Sequence, residues 1–145
     1  MSFTFTFQRR IEFSETDMAG IVHFSNFFRM MEATEHAFLR SLGFSVHLAG
    51  RDGSFGWPRV KASCEYVKPL RFEELVDIDL TVAEVRNRSV CYRFVFRRAI
   101  DQEEVARGEM VSVCANVDPV TGVIAAVPIP SPQRDQLNSR LSIRD

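Results

Sequence analysis

Cysteine is scarce in this chain. Cys64, Cys91 and Cys114 are odd in number, far apart along 145 residues and set in apolar, strand-like runs. That spacing excludes a disulfide framework and predicts no metal cluster. Long hydrophobic runs are missing as well: Met1 to Arg10 alternates Phe with Thr or Gln, without the continuous apolar block of a signal peptide or membrane span. The expectation is a soluble, cytoplasmic protein with no membrane partner. Neither sign of charge dominates, with 18 Lys plus Arg against 19 Asp plus Glu and a net charge of -1. There is then no global pull toward nucleic acid, and any polyanion has to be met by a local basic patch. Trp occurs once and Tyr twice, against 13 Phe. Phe carries large apolar area without a polar tip to satisfy, so this ratio predicts a dry core or an apolar pocket. The length suits a single domain over 1–145, burying roughly 70% of the surface its unfolded chain exposes.

Periodicity supplies the element order. Phe3, Phe5, Phe7, Ile11 and Phe13 are apolar at odd positions, the period-2 mark of a half-buried strand. Ser14 to Val22 breaks that alternation and leads to Ser25 and Asn26, both good helix caps. From Asn26 to about Leu42 there is no Gly or Pro, and Gly43 supplies the stop. On a helical wheel Phe24, Phe27, Phe28, Met31, Phe38, Leu39 and Leu42 fall in one arc, which Glu35 interrupts. Ser45 to Pro58, carrying Gly50, Gly53 and Gly56, is expected to be a mobile connection. Four strands follow: Val60 to Tyr66, Val76 to Val82, Val90 to Phe96, and Val105 to Val117, the last apolar on both faces near its end and so central. Residues 128–145 form a tail, with a short helix around Gln133 to Leu141. One long helix packed on a five-stranded antiparallel sheet is an α+β arrangement. Its edge strands favour pairing between subunits, hence a homodimer, with tetramers as a further step.

The stretch Glu15 to Asn26 puts an acidic residue, Asp17, in a loop just before a helix start. Unpaired N–H groups there carry the positive end of the helix dipole and polarise a carbonyl oxygen toward an oxyanion. A loop Asp is otherwise an ordinary turn former, and spacing alone does not decide between the two. Glu35, inside the apolar arc, is either partnered or functional, since a buried carboxylate is costly alone. His36 and His47 have no partners at ligand spacing.

Ser14 to Gly43 resembles the signature of the 4-hydroxybenzoyl-CoA thioesterase family of hotdog-fold proteins: Thr16-Asp17, two variable residues, Gly20, two aliphatics, an aromatic pair, Asn26-Phe27 and a helix bearing Glu32. The resemblance continues through Glu65 to Leu75 and Asn116-Val117-Asp118, and spans roughly Phe7 to Pro128. It implies a hotdog fold and an acyl-CoA thioesterase. Asp17 would be the catalytic carboxylate, either as nucleophile or as base for water. Amides around His23 and Phe24 would hold the carbonyl oxygen, and Gly20 would let the chain approach the ligand. The substrate-binding set is then Gly20, His23, Phe24, Asn26 and Glu35. Glu35 or Glu32 is the runner-up catalytic acid. His23 stands where relatives have an aromatic, and Phe24 where many have Tyr or His. Coenzyme A, part of the substrate and not a separate cofactor, would meet Arg86 and Arg88, with Arg59, Lys61, Lys68 and Arg71 available from a second subunit. A carrier-protein thioesterase, a hydratase and a non-catalytic acyl-CoA-binding module are the alternatives.

Overall fold

The structure is a computed structural model that describes residues 3–46, 48–50 and 53–142. His47, two residues of the glycine-bearing connection (51–52) and the last three of the tail (143–145) lie outside the described residues.

Strand β1, Phe5–Arg10, alternates half-buried and exposed positions along its length. It pairs antiparallel with β5, Leu75–Val85, from Phe5 opposite Leu80 to Arg10 opposite Leu75. Pairing ends where β5 begins, so the apolar face expected through Phe13 stops at Ile11, which is 1% exposed, while Phe13 enters a 3-10 turn and is 74% exposed. Strands β4, Arg59–Tyr66, β6, Ser89–Arg98, and β7, Glu104–Val113, complete an antiparallel sheet in the order β1-β5-β6-β7-β4. One face is apolar, with Val76, Ile78, Leu80 and Val82 beside Val90, Tyr92, Phe94 and Phe96, all buried. The opposite face carries charge, as in the two-bond Arg97–Asp79 pair at 2.7 and 2.8 Å.

Helix α1, Asn26–Ser41, covers the apolar face. Phe27 meets Phe96 at 5.2 Å between ring centroids and Phe38 meets Tyr92 at 6.0 Å. Each such ring or aliphatic chain contributes about 1.5–3 kcal/mol on burial. The buried stripe is Phe27, Met30, Met31, Thr34, Glu35, Phe38 and Leu39. Phe24, placed on that stripe by the helical wheel, precedes the helix and is exposed. The stop is as expected: Gly43, at φ +87°, donates its N–H to Arg40 C=O, and Phe44 N–H reaches back to Leu39 C=O at 2.9 Å. No described helix is long and apolar enough to cross a membrane.

Helix and sheet are tightly packed at Gly108, where a Cβ would stand 2.5 Å from Met31 Sδ and 3.0 Å from the Ser63 carbonyl oxygen. Gly108→Ala is therefore expected to destabilise the fold by about 1–3 kcal/mol, the cost of overpacking a filled interior. Urea denaturation checks this, and an unchanged midpoint would mean that Met31 repacks freely.

Two expectations are corrected by a second sheet, β2-β3-β8-β9. The connection expected to be mobile holds β2, Leu48–Gly50, and β3, Gly53–Gly56, a hairpin whose second strand pairs with β8, Ala115–Val117. The strand expected to run unbroken to Val117 divides at Cys114, whose N–H bonds Arg88 C=O at 2.7 Å, and β8 then joins β3 and β9, Ile124–Ala126. Glycine-rich pairing of this kind is non-local and leaves little side-chain pattern to read. The tail is docked: helix α2, Ser131–Asn138, begins earlier than expected and buries Leu137, and Leu141 bridges Val82 on the edge of β5 that β1 leaves open.

Candidate active site

The loop between β1 and α1 is tied down at several points before any ligand is considered. Thr16 bridges Val22, Ile21 bridges Arg71, and Val22 N–H donates to Leu70 C=O at 2.8 Å, so the loop is anchored on the chain entering β5. Glu15 is the hub of its start. Its carbonyl accepts the His23 N–H at 2.9 Å and the Asn26 side-chain amide at 2.8 Å, and its carboxylate pairs with Arg9 at 2.7 Å. Gly20 adopts φ +82°, a conformation that side chains disfavour, and closes a turn by donating to Asp17 C=O.

Within this frame Asp17 does what a turn aspartate does with one oxygen only. Oδ1 accepts from Ala19 N–H at 2.9 Å and, more weakly, from Ile21 N–H at 3.4 Å. Oδ2 has no hydrogen-bond partner among the described residues. Asp17 lines a cleft of about 490 Å³ together with Ile21, Val22, Phe24, Phe27, Tyr66, Val67, Lys68 and Pro69. Asp17 also borders a second, more voluminous hollow of about 740 Å³ with Phe13, Thr16, Met18, Phe72 and Gly20, so Gly20 stands on that side and not in the first cleft.

The donors of the expected oxyanion site separate. The His23 N–H is spent on Glu15, whereas the Phe24 N–H has no acceptor among the described residues and sits one residue before the N-cap Ser25. Asn26 N–H donates to the His23 carbonyl at 2.9 Å, which polarises the peptide whose N–H is that of Phe24.

Several expected site residues stand elsewhere. The His23 ring stacks on Phe24 at 4.5 Å and engages Ser25 through Nδ1 at 2.7 Å, so it does not line the cleft. Asn26 braces the loop through Glu15, which occupies its amide. Glu35 takes the partnered alternative and stands apart from the cleft. Its side chain is fully buried, accepts from Ser112 Oγ at 2.8 Å and pairs with Arg59, and it does not border the Asp17 cleft. Burial pushes its carboxyl up, with Arg59 and Ser112 opposing the shift. Glu32 lies 3.6 Å from the same guanidinium. Arg86 pairs with Glu84 at 2.9 Å, and with Arg88 it occupies the turn after β5, while the Asp17 loop meets the chain just before β5. The two arginines thus stand at the opposite end of β5 from the Asp17 loop within one chain, and a strand of that length spans about 35 Å at the usual rise.

Tyr66, Val67 and Pro69 line the cleft without having been assigned a role from the sequence, and Lys68, expected only as a cation from a second subunit, lines it beside Asp17 of its own chain. The available signal was their place in the second matching segment, at the end of an alternating strand.

The profile of the thioesterase-like superfamily matches residues 11–137. The chain belongs to the thioesterase-like superfamily. Within this superfamily, 1,4-dihydroxy-2-naphthoyl-CoA hydrolase of Synechocystis is 27% identical over 111 residues, covering 77% of this chain and 80% of that one. The 4-hydroxybenzoyl-CoA thioesterase of Pseudomonas sp. strain CBS-3 is 28% identical over 123 residues, 81% and 87% of the two chains. Among solved structures, a gentisyl-coenzyme A thioesterase superposes with a TM-score of 0.79 at 31% identity, covering 91% of this chain and 98% of its own. The α+β fold with its antiparallel sheet is the superfamily's hotdog fold, and membership makes the protein a thioester hydrolase by class.

Proposed function

We propose that this superfamily member is an acyl-CoA thioesterase in which Asp17 is the catalytic carboxylate and the Phe24 N–H stabilises the oxyanion. One observation carries the reading. A carboxylate pinned through a single oxygen and a backbone donor left without an acceptor belong to residues that line the same apolar cleft. Two routes balance. In the first, Oδ2 attacks the thioester carbon, the C–S bond breaks and the thiolate leaves with its electron pair. Water then cleaves the mixed anhydride to free acid and the regenerated carboxylate. In the second, the carboxylate takes a proton from water as the water oxygen attacks, and that proton passes to the departing thiolate. A thiolate leaves without strong protonation, so coenzyme A is needed only as part of the substrate. Steady-state hydrolysis of aryl-, short- and long-chain acyl-CoAs beside a carrier-protein thioester tests the activity. Turnover of one CoA ester class supports it, turnover of the carrier-protein ester alone shifts the donor, and no turnover of any ester leaves a binding module.

The proposal extends to a homodimer joined along β4. That strand is an edge and is exposed along most of its length, with Val60 66% and Tyr66 47% exposed. Antiparallel pairing of β4 with its copy turns the partner upside down, bringing the partner's arginine-bearing turn to the end of the double sheet where Asp17 lies. At the usual strand spacing the turn is then within about 20 Å of β4. Each site would take its carboxylate from one chain and its nucleotide anchors from the other. Arg86→Ala with Arg88→Ala is expected to raise KM about tenfold at unchanged kcat, in line with lost charge-assisted contacts to phosphate. Mixing that double variant with Asp17→Asn chains should restore one wild-type site per mixed dimer. Failure to restore low-KM turnover would place the anchors in the same chain or remove them from the site.

A further inference from the structure

The Phe24 donor is useful only if the chain around it is held still, and the contacts that hold it converge on one side chain of the edge strand. Tyr66 Oη donates to the Phe24 carbonyl at 2.9 Å, linking the end of β4 to the loop 42 residues earlier. Its ring meets Phe27 edge-on at 5.2 Å and Phe24 at 6.5 Å, with interplanar angles of 76° and 84°. On the other flank, Asn26 N–H binds the His23 carbonyl and Ser25 N–H binds His23 Nδ1 at 3.2 Å. The peptide before Phe24 is therefore fixed by the helix start, and the peptide after it by Tyr66. Without the Tyr66 hydroxyl, the Phe24 carbonyl loses its only partner among the described residues and the φ and ψ of Phe24 are held from one side alone.

We infer that Tyr66 is a positioning residue for the oxyanion donor: its hydroxyl, by holding the Phe24 carbonyl, aims the Phe24 N–H at the developing charge on the substrate. This rests on the thioesterase reading above and adds to it a function for the end of β4. Preorganised donors stabilise charge at no reorganisation cost during reaction, so a donor that must be re-aimed loses part of its effect. The aromatic body of Tyr66 also walls the cleft, and the two contributions separate cleanly by substitution.

Tyr66→Phe keeps both ring contacts and removes only the hydroxyl. The expected result is a fall in kcat of about tenfold with KM nearly unchanged, less than the hundredfold or more that follows loss of a direct oxyanion donor. A second readout does not need turnover. In Asp17→Asn protein loaded with an aryl thioester of coenzyme A, the carbonyl stretch of the bound ester, measured by Raman difference spectroscopy, should lie below its value in water. Adding Tyr66→Phe should move it back toward that value. An unchanged kcat with an unchanged stretch, or a change confined to KM, overturns the inference. A loss beyond a hundredfold also overturns it, since Tyr66 would then touch the reacting atoms itself. If no thioester is turned over by the wild type but the stretch still responds to Tyr66→Phe, the catalytic reading fails and the positioning role stands.

Discussion

Asp17→Asn is expected to lower kcat by about 10³-fold or more while leaving stability and oligomeric state close to wild type, at the upper end of what a positioned acid or base contributes. The substitution is nearly isosteric. The Asn amide oxygen still accepts from the Ala19 N–H, so the turn through Gly20 is retained. What disappears is the second carboxylate oxygen, which no described residue occupies and which both chemical routes require. KM should change little, because the apolar walls of the cleft are untouched. Turnover measured by released thiol, with thermal unfolding alongside, checks both halves. Unaffected turnover would remove Asp17 from the mechanism. The catalytic carboxylate would then have to come from elsewhere, and Glu35 is poorly placed to supply it, being enclosed by Arg59 and Ser112.

The second large effect is on stability. Arg59→Ala should cost about 3–5 kcal/mol, the usual penalty for leaving a buried charge without its partner. The Arg59 guanidinium pairs with Glu35, lies 3.4 Å from His36 Nε2 and ties to the Trp57 carbonyl at 2.6 Å. Removing it leaves the Glu35 carboxyl in the core with only Ser112. The penalty has a pH signature. Burial already raises the Glu35 pKa from its ordinary 4.5, and loss of the opposing guanidinium raises it further. A group whose folded pKa is raised contributes stability below its unfolded pKa and loses that contribution as pH rises through the folded value. The unfolded state is common to both proteins. The deficit of Arg59→Ala relative to wild type should therefore grow as pH rises through the raised folded pKa of wild-type Glu35, where the wild-type carboxyl ionises beside Arg59 and the variant's still resists. Urea denaturation at pH 5 and pH 8 measures this, and equal deficits at the two values would exclude Glu35 ionisation as the cause. His36 does not reverse the sign: burial lowers its pKa and Arg59 adds to the lowering, so loss of Arg59 moves it up, in the same direction as Glu35. Replacing Glu35 and Arg59 together with apolar residues of similar volume should recover much of the loss.

The amino-acid sequence by itself determined what depends on near neighbours along the chain. Alternation marked β1 and β4 to β7, and a break-free amphipathic stretch ending at Gly43 marked α1, while the order of acidic loop and helix start put Asp17 in a turn without deciding what that carboxylate does. It also flagged Glu35 as a carboxylate needing a partner, because a helical wheel is a local construction. Tertiary structure decided everything that depends on which distant segments meet. It paired the glycine-bearing hairpin with β8, split the final strand at Cys114, and chose Arg59 and Ser112 as the partners of Glu35. It separated two adjacent amides by spending the His23 N–H on Glu15 while leaving that of Phe24 without an acceptor, and brought Tyr66 to the Phe24 carbonyl from the far edge of the sheet. The physical reason is common to all of these. Side-chain periodicity records which face of an element is apolar, whereas a hydrogen-bond partner is fixed only when remote strands close on one another and each buried polar group takes whatever donor or acceptor that closure supplies.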